Sequence, residues 1–194
     1  MPRPRRPLAE VVRSGTTWWR IHRADRGALY FGPPPGQPPR SRFDAPGGEY
    51  RIGYFGTTRD ASFAEVFLRV PPVELITMDE VEARRLTAIE VVRDVRVARL
   101  VGRGLARAGI TASATTGAEY GVARAAALAI WSHSDGFDGL LYRARHDDDE
   151  LSVALFDRAA DAVAPGPPQR LTDDVGWLAT LPVRYGFDFD PSGA

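Results

Sequence analysis

Apolar and polar positions alternate with a period of two in several short runs and with a period near that of a helix in a few others. TTWWRIH, residues 16–22, is rich in β-branched and aromatic residues and predicts a strand with Trp18, Arg20 and His22 on one face. Behind the turn residues Asp44, Pro46, Gly47 and Gly48, the alternation of Tyr50, Ile52 and Tyr54 predicts a second strand. A helix over residues 59–69 should follow, with Thr57 three positions before Asp60 as a capping box and Pro71 and Pro72 as its end. Ala61, Ala64, Glu65 and Leu68 fall at spacings of three and four on it, so an acid shares a stripe with small and apolar residues.

Further along, VELITM reads as a short strand, residues 79–85 as a helical turn begun by a Thr77 to Glu80 capping box, and LTAIEVV and VRVARLV as two more strands. A helix is expected over residues 118–132, with Tyr120, Ala123, Ala127, Ile130 and Trp131 as core. GLLYRAR and LSVALFD flank the acidic turn at residues 147–150 and predict a hairpin near the centre of a sheet. FGPPPGQPPRS, residues 31–41, is a stiff loop that delivers the chain to Arg42, because proline lacks the amide donor a sheet requires. The expected architecture is a single α+β domain with a twisted, split sheet and packed helices. Residues 1–15 form a flexible basic arm, 16–160 the domain proper, and 161–194 a proline-glycine linker and docking tail in which Val175, Leu178 and Leu181 suggest a short helix.

At 194 residues the chain suffices for one domain with a sizeable core. Basic and acidic residues are balanced at 25 each, so no global field draws nucleic acid or membrane, and every basic residue is arginine. With no cysteine, disulfides, thiolate nucleophiles and cysteine-bound metals are excluded, and with neither a leader-like segment nor an apolar run of spanning length the expectation is a cytoplasmic protein. The three histidines, His22, His133 and His146, lie in no metal-ligand spacing, and Asp147 to Glu150 lack the spacing and glycine of a calcium loop, so no metal is expected. GRGLARAG matches no phosphate loop and is read as lacking the strand-to-helix context of a dinucleotide fingerprint.

What remains is arginines, a tyrosine and one helix-borne carboxylate, a set suited to an anionic ligand whose reaction develops positive charge. Two plainer readings stand beside it, Glu65 as an exposed boundary residue and Arg20 as a salt-bridged structural one. RFDAPGG followed by YFGTTRDASFAEVF resembles the central motif of RES-domain proteins; WWRIH, GFDGLLYRAR and LSVALF extend the resemblance over most of residues 18–157. It implies an ADP-ribosyltransferase-like fold and consumption of NAD, as substrate, at its nicotinamide glycosidic bond, by hydrolysis or phosphorolysis. It implies Arg20 and Arg42 on the phosphates or ribose, Tyr54 on the nicotinamide side and Glu65 as the catalytic carboxylate. It also implies a toxin partnered by a helix-turn-helix antitoxin, and a homodimer. The chain departs from the family at Ala144, where a serine is usual, so Ser152 or water would have to supply the hydrogen bond. The alternatives that follow are transfer of ADP-ribose to an acceptor and a catalytically silent nucleotide-binding or interaction module.

Overall fold

A computed structural model describes residues 6–69, 72–117 and 119–191. In chain order the strands are β1 (Ala9–Val12), β2 (Thr17–Arg23), β3 (Ile52–Gly56), β4 (Leu75–Thr77), β5 (Arg84–Val91), β6 (Val95–Leu100), β7 (Gly139–Ala144), β8 (Asp147–Phe156), β9 (Val163–Pro165), β10 (Gln169–Arg170) and β11 (Asp188–Asp190). The helices are α1 (Arg59–Phe67), α2 (Met78–Glu82), α3 (Arg103–Ala108), α4 (Ser113–Thr116), α5 (Gly121–Trp131), α6 (Val175–Leu178) and α7 (Leu181–Tyr185). Nine strands make one mixed sheet ordered β1-β6-β7-β8-β3-β2-β5-β10, with β9 also on β5; β4 and β11 form a separate parallel pair. The architecture is thus α+β in one domain, as expected.

The expected split lies between β2 and β3. β2 pairs along its whole length with β5, and β3 with β8, but β2 and β3 share the single pair Trp19–Gly56 and then splay apart. Helix α1 follows directly from β3 and packs on β2, β3 and β8. Gly56 makes this possible, since a Cβ there would stand 2.6 Å from both the amide nitrogen and Oγ of Ser62. The Ser62 hydroxyl donates to Trp19 O at 2.8 Å and ties the helix to the far side of the split.

Three apolar clusters build the core. One places Ala123, Ala127 and Ile130 of α5 with Leu140, Tyr142, Ala154 and Phe156; another joins Trp18, Phe55 and Ile89 to Val97, Val153 and Leu155. The third sets Phe63 and Ala64 of α1 against Leu171, Trp177, Leu181 and Phe187 of the C-terminal segment. Phe63 stacks with Phe67, Tyr185 and Phe187, and Trp177 Nε1 donates to Asp60 Oδ1 at 2.7 Å, so α1 is gripped from behind. Leu178 and Leu181 dock as expected, whereas Val175 is exposed.

Several local expectations shift. The α1 cap is Thr58, whose hydroxyl oxygen accepts from Ala61 N at 2.9 Å; Thr57 instead donates its hydroxyl to Leu151 O. Thr77 caps α2 as anticipated, accepting from Glu80 N. Within the stretch read as an arm, residues 9–12 pair antiparallel with β6; residues 1–5 lie outside the described residues. The proline-glycine stretch after Asp157 holds a 3-10 turn, β9 and β10. Helix α5 begins at Gly121, three positions later than read, with Ala118 outside the described residues, as is Pro71. A strand-to-helix junction does exist at β6–α3, where Gly104 sits so close to the backbone that a Cβ would lie 1.9 Å from Arg99 O. That glycine serves close packing, and neither it nor Gly102 borders the cleft described next.

Candidate active site

Where β2 and β3 part, a cleft of about 670 Å³ opens, lined by both strands, the loop from Arg26 to Asp44, α1, Tyr120 and the β7–β8 turn. Its size is that of a small-molecule site. Arg20, Arg42, Tyr54 and Glu65, four residues from separate segments, all line it.

Arg42 is held by a folded turn. Buried Asp44 accepts the amides of Arg40 and Ser41 on Oδ2, at 2.8 and 2.6 Å, and the Tyr54 hydroxyl on Oδ1 at 3.2 Å. The same Tyr54 oxygen accepts from Phe43 N at 3.1 Å. Tyr54 therefore locks the arginine-bearing turn to β3, and burial followed by the Asp44 charge raises its phenol well above the usual range, keeping it neutral. From that turn the Arg42 guanidinium, 7% exposed, lies over the Tyr120 ring at 4.8 Å and donates to Gly117 O at 2.7 Å. Burial, with Arg145 nearby, lowers its pKa. Arg20 donates to Tyr30 O, lies 5.6 Å from the Phe55 ring centroid, and is lowered to about 10 by burial.

Glu65 is half-buried on the cleft side of α1. Its Oε1 accepts from Arg145 N at 3.1 Å, joining α1 to the turn after β7, and its charge acts on Arg42 and Tyr142. Arg145 reaches on to donate to the Tyr120 hydroxyl at 3.2 Å. Tyr142 is enclosed against Phe43, and burial and then Glu65 push its phenol up.

Six arginines border the cleft, Arg20, Arg26, Arg40, Arg42, Arg69 and Arg145, against two carboxylates, Asp44 and Glu65. Among the described residues the arginine ion pairs fall to other arginines, and none of these six side chains forms a salt bridge with a carboxylate. A chain of zero formal net charge has thus gathered uncompensated cations in one concavity, which favours a multiply charged anion there. Metal-binding groups of three or more potential ligands are absent among the described residues. His22 is occupied by Arg23 O and the Thr87 hydroxyl.

Sequence reasoning missed Tyr120, Tyr142, Arg145 and the rim arginines. Tyr120, read as core, instead stands at the start of α5 beneath Arg42 and Arg124. The strand alternation of Leu140, Tyr142 and Ala144 placed Tyr142 and Ala144 on one face, a signal that was available. Ala144 is buried, with no hydroxyl to offer.

Comparison with known proteins bears on the fold and the family. The chain superimposes on the crystal structure of the M.tuberculosis MbcT-MbcA toxin-antitoxin complex with a TM-score of 0.63 at 18% identity, covering 83% of this chain and 86% of that one, which establishes a common fold. No curated protein matches the sequence. The family model for the RES domain matches residues 17–174, most of the molecule and every residue that lines the cleft, and the chain therefore belongs to the RES-domain family.

Proposed function

We propose that the protein consumes NAD, breaking the bond between nicotinamide and C1′ of its ribose. The observation that carries this reading is the convergence of Arg20, Arg42, Tyr54 and Glu65 on one cleft whose arginines form no salt bridge with a carboxylate among the described residues. Arg20 and Arg42 hold the pyrophosphate and adjoining ribose through charge-assisted hydrogen bonds. Tyr54 fixes the Arg42 turn and borders the nicotinamide side. As the glycosidic bond breaks, nicotinamide leaves as a neutral molecule with the bonding electron pair, and positive charge spreads over C1′ and the ring oxygen. The Glu65 carboxylate, already oriented by Arg145 N, stabilises that charge without having to reorganise. Water or phosphate then adds at C1′, water giving up a proton, so the enzyme is a glycohydrolase or a phosphorylase.

The family and the structural likeness support a toxin held by an antitoxin, acting in the cytoplasm; self-association into a homodimer belongs to the same proposal. A second reading, a catalytically silent nucleotide-binding module, draws on Ala144. Nicotinamide release from NAD by purified protein, with and without phosphate, separates the two. Turnover that falls about a hundredfold or more in Glu65→Gln supports the enzyme. Binding of NAD without release supports the silent module, and release by Glu65→Gln at the wild-type rate removes Glu65 from the chemistry.

A further inference from the structure

On the floor of the cleft β7 and β8 set Tyr142 and Ser152 directly opposite each other. Opposed residues of an antiparallel pair project from the same face, so both hydroxyl-bearing side chains stand together. Ser152 is 2% exposed; its Oγ meets no hydrogen bond of full geometry among the described residues, and its contact with the Tyr142 phenol acts to lower that phenol's pKa. The Tyr142 phenol lies within the field of the Glu65 carboxylate, its ring edge-on to Phe43 with centroids 4.8 Å apart. An enclosed hydroxyl with no more than a weak contact to Tyr142 burdens the fold in a way alanine would not, and alanine does occupy positions 144 and 154 of the same two strands. A ligand that completes the missing bond removes the burden.

We infer that Tyr142 and Ser152 form a hydroxyl pair that recognises a sugar diol, the ribose of a nucleotide, beside Glu65, while the arginines take the phosphates. The division follows from donor and acceptor capacity. A guanidinium only donates and an ionised carboxylate only accepts, whereas the phenol and the serine hydroxyl do both, as ribose hydroxyls do. The Ser152 oxygen is covered as the side chain stands, and rotation about its Cα–Cβ bond between staggered positions brings it to the sugar. This inference rests on the dinucleotide reading of the cleft.

Two probes test it by calorimetry: inorganic pyrophosphate, which engages arginines alone, and ADP-ribose, which adds the sugars. Ser152→Ala and Tyr142→Phe should bind pyrophosphate as the wild type does and ADP-ribose about five- to tenfold more weakly, the loss of one hydrogen bond. Thermal melting of Ser152→Ala without ligand should stay close to wild type, because the deleted oxygen makes only a weak contact with Tyr142 in the fold. Unchanged ADP-ribose affinity in Ser152→Ala, or equal loss for both probes, overturns the inference and leaves the dinucleotide reading standing. Wild-type protein that binds pyrophosphate but not ADP-ribose overturns that reading, and the inference with it.

Discussion

Removing one oxygen atom, in Tyr54→Phe, separates two roles the tyrosine could have. In the structure the hydroxyl donates to the buried Asp44 carboxylate at 3.2 Å and accepts from Phe43 N at 3.1 Å. Phenylalanine deletes a hydrogen bond to a charged group, worth about 1.5–3 kcal/mol, and leaves a backbone donor without its acceptor, so the total should be about 2–4 kcal/mol. For a domain of this length that lowers the melting temperature by roughly 5–15 °C. The Arg42 turn loosens with it, and the affinity for ADP-ribose should fall in parallel. Differential scanning calorimetry and ligand titration on the same samples give both quantities. A variant that melts like the wild type yet releases no nicotinamide would refute the reasoning, since the hydroxyl would then act on the substrate and not on the turn.

Other outcomes follow from the same contacts. Thr58→Ala removes the α1 cap and should cost about 1 kcal/mol in chemical denaturation. Gly56→Ala forces a Cβ against Ser62 and should destabilise by about 1–3 kcal/mol while shifting the helix that holds Glu65, so nicotinamide release should fall more than stability alone explains. Ligand affinity should drop steeply with salt, and Arg26→Gln should flatten that dependence, because an exposed cation acts mainly at range. Burial first, then Arg145, Arg42 and Arg69, depress the pKa of His146 below its ordinary 6.5. The unfolded chain therefore binds the proton more readily, and stability is retained above about pH 6.5 and declines as pH falls below it. His146→Gln should soften that decline, as urea melts across the range would show.

Much of this molecule could be read along the chain. The strands around Trp18, Tyr54, Ile89 and Val97, the helix bearing Glu65 and the hairpin after Gly139 announce themselves because their apolar residues recur at strand or helix spacing and are buried in the core. The misplaced cap shows the limit of local rules: Thr57 and Thr58 are equivalent in sequence, and the choice between them is made by Leu151 O, which takes the Thr57 hydroxyl from across the sheet. β1, β9 and β10 escaped because short edge strands gain their structure from distant partners and carry little periodicity of their own. The four residues singled out along the chain all line one cleft, yet the electrostatics of that cleft were not legible. Arg26, Arg40, Arg69 and Arg145 sit in loops or at element ends, where no spacing rule connects them, and only the splaying of β2 from β3 turns them toward a common space.

The grip of the C-terminal segment on α1 has a consequence for synthesis. Residues that clasp the helix from behind, Asp174, Trp177, Tyr185 and Phe187, are translated long after Glu65 itself. A nascent chain that has not released them leaves Phe63 uncovered and the carboxylate without a fixed bearing, so competence arrives only once residues 174–187 have left the ribosome. A version truncated after Arg170 should accordingly fail to retain ADP-ribose, and a separately supplied peptide of residues 171–191 offers a direct route to restoring it.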